Sequence, residues 1–232
     1  MAQAALERPA SNDLADVYER LRSHRGPAGW WPAETPFEVC VGAILVQNTA
    51  WPNVEKALCS LRAAGRLSYE GLAGLGQEEL AALIRPSGCY NVKAGRLAAF
   101  VDFLGREYGG RVEAMAERDA RALREQLLAV RGIGRETADS IALYAAGLPL
   151  FVVDAYTRRV FGRLGMIRGD ESYDALQDYF MTELAADADL FNDYHAQIVI
   201  HAKDICRPRP HCARCPLDSI CPRVGVFRPQ QV

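Results

Sequence analysis

Between Leu127 and Asp154 the chain reads LLAVRGIGRETADSIALYAAGLPLFVVD, and this stretch constrains the fold more than any other. Two helical patterns flank a tight Gly132-Ile133-Gly134 turn, so the chain must double back as a pair of helices. Gly132 and Gly134 are expected at backbone angles closed to other residues. Consecutive amide N–H groups can then converge at the N-terminus of a helix starting near Arg135. Such a concavity, with the helix dipole behind it, binds a phosphate without reading sequence. Arg131 and Arg135 add charge to it. The same glycines also suit a plain corner between two helices that binds nothing. Asp154 closes the apolar run Leu148–Val153 and opens a helix over 155–164. Aspartate is a favoured N-cap. A carboxylate at that boundary can also stabilise positive charge on a sugar ring or activate a water, and the two roles are not exclusive.

The remainder reads as all-α. Few alternating strand patterns occur, and helix start and stop signals recur. Leu14, Val17, Tyr18 and Leu21 form a helical stripe behind a Ser11-Asn12-Asp13 cap. Thr35-Pro36-Phe37-Glu38 is a capping box with proline at the first helical position, and it launches a buried helix through Val41, Ile44 and Leu45. Pro52 starts another, closed near Gly65. Further helices are expected at 77–85, 91–108, 118–130, 136–146, 154–165, 172–185 and 191–206.

At 232 residues, half of them hydrophobic, the chain can bury one large core or two small ones. No apolar stretch reaches the roughly 18 residues of a membrane helix. The N-terminus has no basic segment leading into an apolar run, so no secretory signal is read and the cytosol is the expected location. Net charge is −2, which does not advertise a nucleic-acid binder. Local distribution matters more: Lys203 to Arg228 holds six Lys/Arg against two Asp, a local +4. Seven cysteines divide sharply. Cys40, Cys59 and Cys89 are scattered and read as buried thiols. The other four crowd into one short loop, Cys206-x5-Cys212-x2-Cys215-x5-Cys221. Four thiolates so placed bind a metal centre, a [4Fe–4S] cubane or, as the alternative, zinc. An odd total argues against a disulfide framework.

These motifs in this order resemble the endonuclease III superfamily of DNA glycosylases. The likeness runs from about Thr35 to Cys221. It is carried by Gly42-Ala43-Ile44-Leu45 leading to Gln47-Asn48-Thr49, by Gly88-Cys89-Tyr90-Asn91-Val92-Lys93-Ala94, by the hairpin Arg131–Arg135, by Val153-Asp154 and by the four clustered cysteines. The resemblance implies a helix-hairpin-helix fold. A six-helix barrel would span 35–147, and a second helical domain would combine 1–34 with 148–232. It implies a partner, duplex DNA with a damaged base, lying across a cleft and held by Arg131, Gly132, Ile133, Gly134 and Arg135. The target base must be flipped out of the duplex. Gln47 matches the position that fills the gap, with Asn48 assisting; read alone, these two are a helix C-cap and a polar turn. A monomer is expected, located with the DNA (the nucleoid, if bacterial).

The resemblance also makes Glu136 informative. Bifunctional members carry a lysine there, whose amine forms a Schiff base with the sugar before strand cleavage. A carboxylate cannot form an imine, although it also suits the first turn of a helix. Asp154 follows at the expected separation of 18 residues. Base excision without AP lyase activity is therefore expected, with Asp154 as the catalytic residue stabilising an oxocarbenium-like sugar. Trp30, Trp31 and Pro32, with Trp51 after the Gln-Asn-Thr segment, resemble the 3-methyladenine DNA glycosylase branch. There such aromatics sandwich an alkylated base, which favours π faces when cationic. Two tryptophans plugging a domain junction is the competing reading. That branch also has an acid at the Glu136 position and a pocket lysine where Lys203 stands, which would touch Glu136 or the base; a surface lysine is the alternative. The cysteine loop matches the family's [4Fe–4S] ligands, with a first gap one residue shorter than usual. Three functions stay open: a monofunctional glycosylase for alkylated purines such as 3-methyladenine; one for oxidised or mismatched pyrimidines with weak lyase activity; or a non-catalytic Fe–S DNA-damage sensor.

Overall fold

The computed structural model describes residues 13–29 and 31–226, and among these every regular element is helical. The α-helices are α1 (Leu14–Arg25), α2 (Pro36–Leu45), α3 (Trp51–Ala63), α4 (Tyr69–Ala73), α5 (Gln77–Leu83), α6 (Tyr90–Tyr108), α7 (Ala120–Ala129), α8 (Arg135–Ser140), α9 (Ala155–Arg163), α10 (Tyr173–Glu183) and α11 (Ala188–Asp204). Among the described residues no helix is long and apolar enough to cross a membrane. The chain forms two compact units: Trp31–Leu150, and Met1–Trp30 joined to Phe151–Val232.

In the Trp31–Leu150 unit, α2 is the central helix. Phe37 to Leu45 are all buried, as expected for a helix apolar on every side. It packs against α3, α6 and α8. Its start departs from the expected capping box. Thr35 Oγ1 accepts from the Glu38 amide at 3.2 Å, but the Glu38 carboxylate takes the Glu34 amide, one residue further back. Its other oxygen faces Arg62 at 2.7 Å, and this pull from α3 re-aims the side chain. The expected helix 136–146 is α only to Ser140. Ile141–Ala145 is a π turn, with the Ala146 amide reaching back to Ile141 O at 3.1 Å. Ser140 Oγ bonds Glu136 O just before the change, a back-bond that loosens a helix. The five-residue α4, capped by Ser68, is too short to show a sequence period.

The other unit is built on aromatic packing. Phe151 stacks on Phe180 with centroids 4.2 Å apart, and Phe191 and Tyr194 meet Phe151 edge-on. α1 docks on α11 through Tyr194 Oη to Leu14 O at 2.7 Å and Tyr18 Oη to Asp193 at 2.8 Å. Of the expected α1 cap, Ser11 and Asn12 lie outside the described residues; Asp13 caps the helix by accepting from the Asp16 amide.

The cysteine reading needs correction. Cys40 is buried, but Cys59 and Cys89 are exposed. Cys59 falls on the solvent face of α3, between inward-facing Leu58 and Leu61. Cys89 sits at φ 45° ahead of α6, where the chain is turning.

Candidate nucleic-acid and catalytic site

α7 and α8 form the expected hairpin. Arg124 on α7 meets Asp139 on α8 at 2.8 Å, and Asp139 is fully buried, so the ion pair ties the two helices behind the turn. Removing one partner of such a pair leaves a buried charge, which makes the geometry stiff. Ile133 is buried and anchors the tip, while Arg131, Gly132, Gly134 and Arg135 are exposed. Gly132 has φ +89°, and a Cβ there would also lie 2.3 Å from Arg96 Cγ. Gly134 corrects the expectation: at φ −96°, ψ 179° its backbone is open to any residue. It caps α8 without a side chain, and a Cβ there would meet nothing. The first turn of a helix carries amides with no partner inside the helix, and this one begins at an exposed, side-chain-free cap.

Gln47, just past α2, is drawn onto this hairpin. Its Nε2 donates to Gly132 O at 3.1 Å and to Thr137 Oγ1 at 2.9 Å. Arg96 Nη1, from α6, donates to its Oε1. Asn48 is exposed at φ 53° and makes the chain turn. Lys93, almost fully buried, donates to Leu45 O at 2.9 Å and Ser87 O at 2.6 Å, supporting the end of α2 from which this loop departs. Burial holds its ammonium below the ordinary lysine range.

Trp31 sits beside Trp51, ring centroids 5.3 Å apart at 84°, and beside Tyr144, also at 5.3 Å. Gly42 of α2 is the floor: a Cβ there would come within 3.3 Å of Trp31 Nε1 and 3.6 Å of Trp51. Trp51 Nε1 donates to Glu55 at 3.0 Å. Trp31 and Trp51 meet edge to face, so no slot for a flat base lies between these two rings. Pro32 is exposed, and Trp30 lies outside the described residues. Glu136 is exposed on the first turn of α8.

In the other unit Asp154 is the N-cap of α9. One oxygen accepts from the Thr157 amide at 2.7 Å and its hydroxyl at 2.9 Å, and the second lies 3.5 Å from Nε2 of buried His195. Burial raises the carboxyl pKa, but the neighbouring His195 ring and the Thr157 bonds outweigh it, holding the group below the ordinary range. Asp154 therefore stays ionised although only 11% of its side chain is exposed. The far end of α9 holds the cysteine loop. Arg159 bonds Cys206 O at 2.8 Å and Ala202 O at 2.9 Å. Arg163 reaches Cys206 O and Sγ, Arg207 O and Pro208 O, and its own carbonyl accepts from Cys221 Sγ at 3.4 Å. Burial pushes the Cys215 thiol up to about 11. A bond from Leu217 opposes this, and Cys206, Cys221 and Cys212 raise it further. The four sulfurs thus feel one another. Among the described residues, however, no three metal-ligating side chains converge on a point that would hold a single ion. Lys203 is exposed on α11, its Nζ 5.8 Å from the Tyr156 ring centroid.

Residues 41–185 match the profile of the HhH-GPD superfamily of base excision DNA repair proteins. The chain belongs to that superfamily. A putative DNA repair glycosylase of Methanocaldococcus jannaschii is 44% identical over 206 residues, covering 88% of this chain and 94% of the relative. The solved structure of Helicobacter pylori 3-methyladenine DNA glycosylase bound to 1,N6-ethenoadenine superposes with TM-score 0.68 at 30% identity, covering 81% of this chain and 96% of that one. A non-covalent endonuclease III–DNA complex, at 23% identity, shares the fold with TM-score 0.76 over 90% of this chain and 94% of that one. The expected likeness to the endonuclease III superfamily and the all-α helix-hairpin-helix fold are borne out. This HhH-GPD protein is a base excision repair DNA glycosylase.

Within the Trp31–Leu150 unit the structure brings Gln47 onto Gly132, and Trp31 onto Trp51. Asp154, Lys203 and the four clustered cysteines belong to the other unit. Arg96, Thr137, Tyr144 and His195 carried no signal in the sequence, and Gly42 stood out only as part of the family-like Gly42–Leu45 segment, not as the floor of the tryptophan pair. The signal for that floor was a glycine inside an apolar helix, where alanine is favoured.

Proposed function

We propose that this glycosylase is monofunctional and removes an alkylated purine, 3-methyladenine being the first candidate. Glu136 carries the reading. It stands one residue inside the helix behind the hairpin, where bifunctional relatives have their lysine, and no carboxylate forms an imine. Duplex DNA is the partner. The exposed cap at Gly134 with Arg131 and Arg135 binds a phosphate, and Gln47, with Asn48 beside it, fills the gap left by the flipped base. Asp154, kept ionised by His195 and Thr157, stabilises the oxocarbenium-like sugar while the base leaves and water completes the hydrolysis. The tryptophans support a flat, electron-poor base. The edge-to-face contact of Trp31 with Trp51 means that the base stacks on an outer ring face or parts the pair. Lys203 is the further residue proposed to touch the base. The likeness to a 3-methyladenine glycosylase adds weight.

The loop of Cys206, Cys212, Cys215 and Cys221 is proposed to hold a [4Fe–4S] cluster. Four free cysteines in one short loop supply the thiolate set that such a cluster needs, with zinc as the alternative. Such a cluster would cross-link the loop. The basic residues around it, Arg207, Arg209, Arg214 and Arg223, serve DNA phosphates.

The test is a screen of duplexes carrying single lesions, run with borohydride. Release of 3-methyladenine or ethenoadenine with no trapped covalent complex is expected. Release of thymine glycol alone, or efficient trapping, rejects the proposal.

A further inference from the structure

Gln47 has no freedom to swing. Both ends of its amide are held: the NH2 by Gly132 O and Thr137 Oγ1, the carbonyl oxygen by Arg96 Nη1. The four groups come from the α2–α3 loop, the hairpin turn, α8 and α6, so they are joined only by the fold. Arg96 reaches Gln47 by lying across the hairpin. A Cβ on Gly132 would fall 2.3 Å from Arg96 Cγ and 2.8 Å from its Cδ. Glycine at 132 therefore does two things: it permits φ +89° and it leaves a groove for the arginine stem. The reverse fit occurs one residue earlier on α6. A Cβ on Gly95 would sit 3.5 Å from Nη2 of Arg131, so the hairpin's own arginine lies over that glycine. The two arginines cross, each over the other element's glycine.

From this interlock we infer that Arg96 is a positioning residue that couples the hairpin to Gln47. It pre-orders the amide so that seating a phosphate on the hairpin and filling the base gap are one event. The inference rests on the proposed gap-filling role of Gln47. A long amide side chain loses rotamer freedom when it is fixed, and one already fixed before DNA arrives loses less on binding. Arg96 also carries guanidinium donors beyond the one used on Gln47, so its charge stays at the hairpin surface while it holds the amide.

The experiment is a double-mutant cycle of Arg96→Met and Gln47→Ala. It reads affinity for a duplex with one tetrahydrofuran abasic analogue and for the same duplex undamaged. Methionine keeps an apolar stem over Gly132 and removes the donor, so the hairpin stays packed; the thermal midpoint of each variant checks this. In the Gln47 background, Arg96→Met should weaken abasic-duplex binding about tenfold, the size of one hydrogen bond to a charged group. In the Gln47→Ala background it should change binding less than about twofold. Arg96→Lys should restore part of the loss. Equal losses in both backgrounds, or equal losses on damaged and undamaged duplex, make Arg96 a phosphate contact and overturn the coupling while leaving Gln47's role intact. A Gln47→Ala variant that binds the abasic duplex normally overturns the gap-filling role, and the coupling with it.

Discussion

The hairpin turn at 130–134 and the loop from Cys206 to Cys221 are both irregular and exposed, and both flank an end of a functional helix, but they are held in different ways. The hairpin is self-sufficient. Ile133 is buried, the Arg124–Asp139 pair locks the helices behind it, and Gln47 and Arg96 brace it from two other elements. In the cysteine loop Leu217 is the buried residue, and one stretch of α9 supplies most of the bonds, with Arg163 alone touching Cys206, Arg207 and Pro208. A segment with so little buried apolar surface does not hold itself together. The proposed phosphate grip would have to be rigid before its ligand arrives, and packing supplies that rigidity. The cysteine loop instead carries four thiols, and the proposed cluster would supply what the core does not.

The sharpest separation of chemistry from support is at Asp154, where the helix carrying the loop begins. Asp154→Asn should lower base release by about 10²–10³-fold, the size of a lost transition-state electrostatic contact. The thermal midpoint should fall only modestly, because asparagine keeps the N-cap and loses only the small stabilisation that the charge contributes. A large midpoint shift would mean that the carboxylate is mainly structural. Next in size is the cross-link. Cys215→Ala should abolish iron retention and the broad absorbance near about 400 nm expected of a cubane. It should also cost about 3 kcal/mol or more, with proteolysis starting in the loop and the hairpin still protected in hydrogen exchange. Equal loss of protection in the hairpin would end the contrast between the two regions. Gly132→Ala should cost about 2 kcal/mol, from left-handed backbone strain plus displacement of Arg96, read by denaturant unfolding. A neutral result would show that the hairpin too is compliant.

Smaller effects separate capping from charge. Asp154→Ala should destabilise by about 1 kcal/mol, the loss of a cap. The folded-state pKa of Asp154 is depressed, so its charge contributes stability above the ordinary carboxylate value. That contribution is lost as pH falls through the lowered folded value. Wild type should therefore lose more stability than Asp154→Asn when both are followed by urea unfolding from neutral pH into the acid range. Parallel curves would remove His195 and Thr157 as the source of the shift.

Much of the fold was legible in the chain. The apolar period of α2, its Thr35-Pro36 start, the glycine turn and the Asp154 cap depend on neighbours a few residues away, and such patterns survive in one dimension. Legibility fell where contacts are long-range. Nothing near Gln47 announces Arg96, 49 residues on, or Thr137, 90 residues on. Nothing near Gly42 announces that Trp31 will rest on it. Cys59 looked buried from its apolar neighbours, yet helix phase turned it outward. Gly134 looked like a conformational necessity and instead leaves space at a helix start.

The sequence by itself determined the helical class, the hairpin, the helix that Asp154 opens and the four-thiol loop, because local periodicity, turn chemistry and residue type suffice for each. Tertiary structure alone decided that Gln47 is clamped, that Trp31 meets Trp51 edge-on, and that His195 faces Asp154. These are pairings between side chains far apart in the chain. Their partners are selected by how helices pack, and no periodicity along one helix records which neighbour that packing will bring.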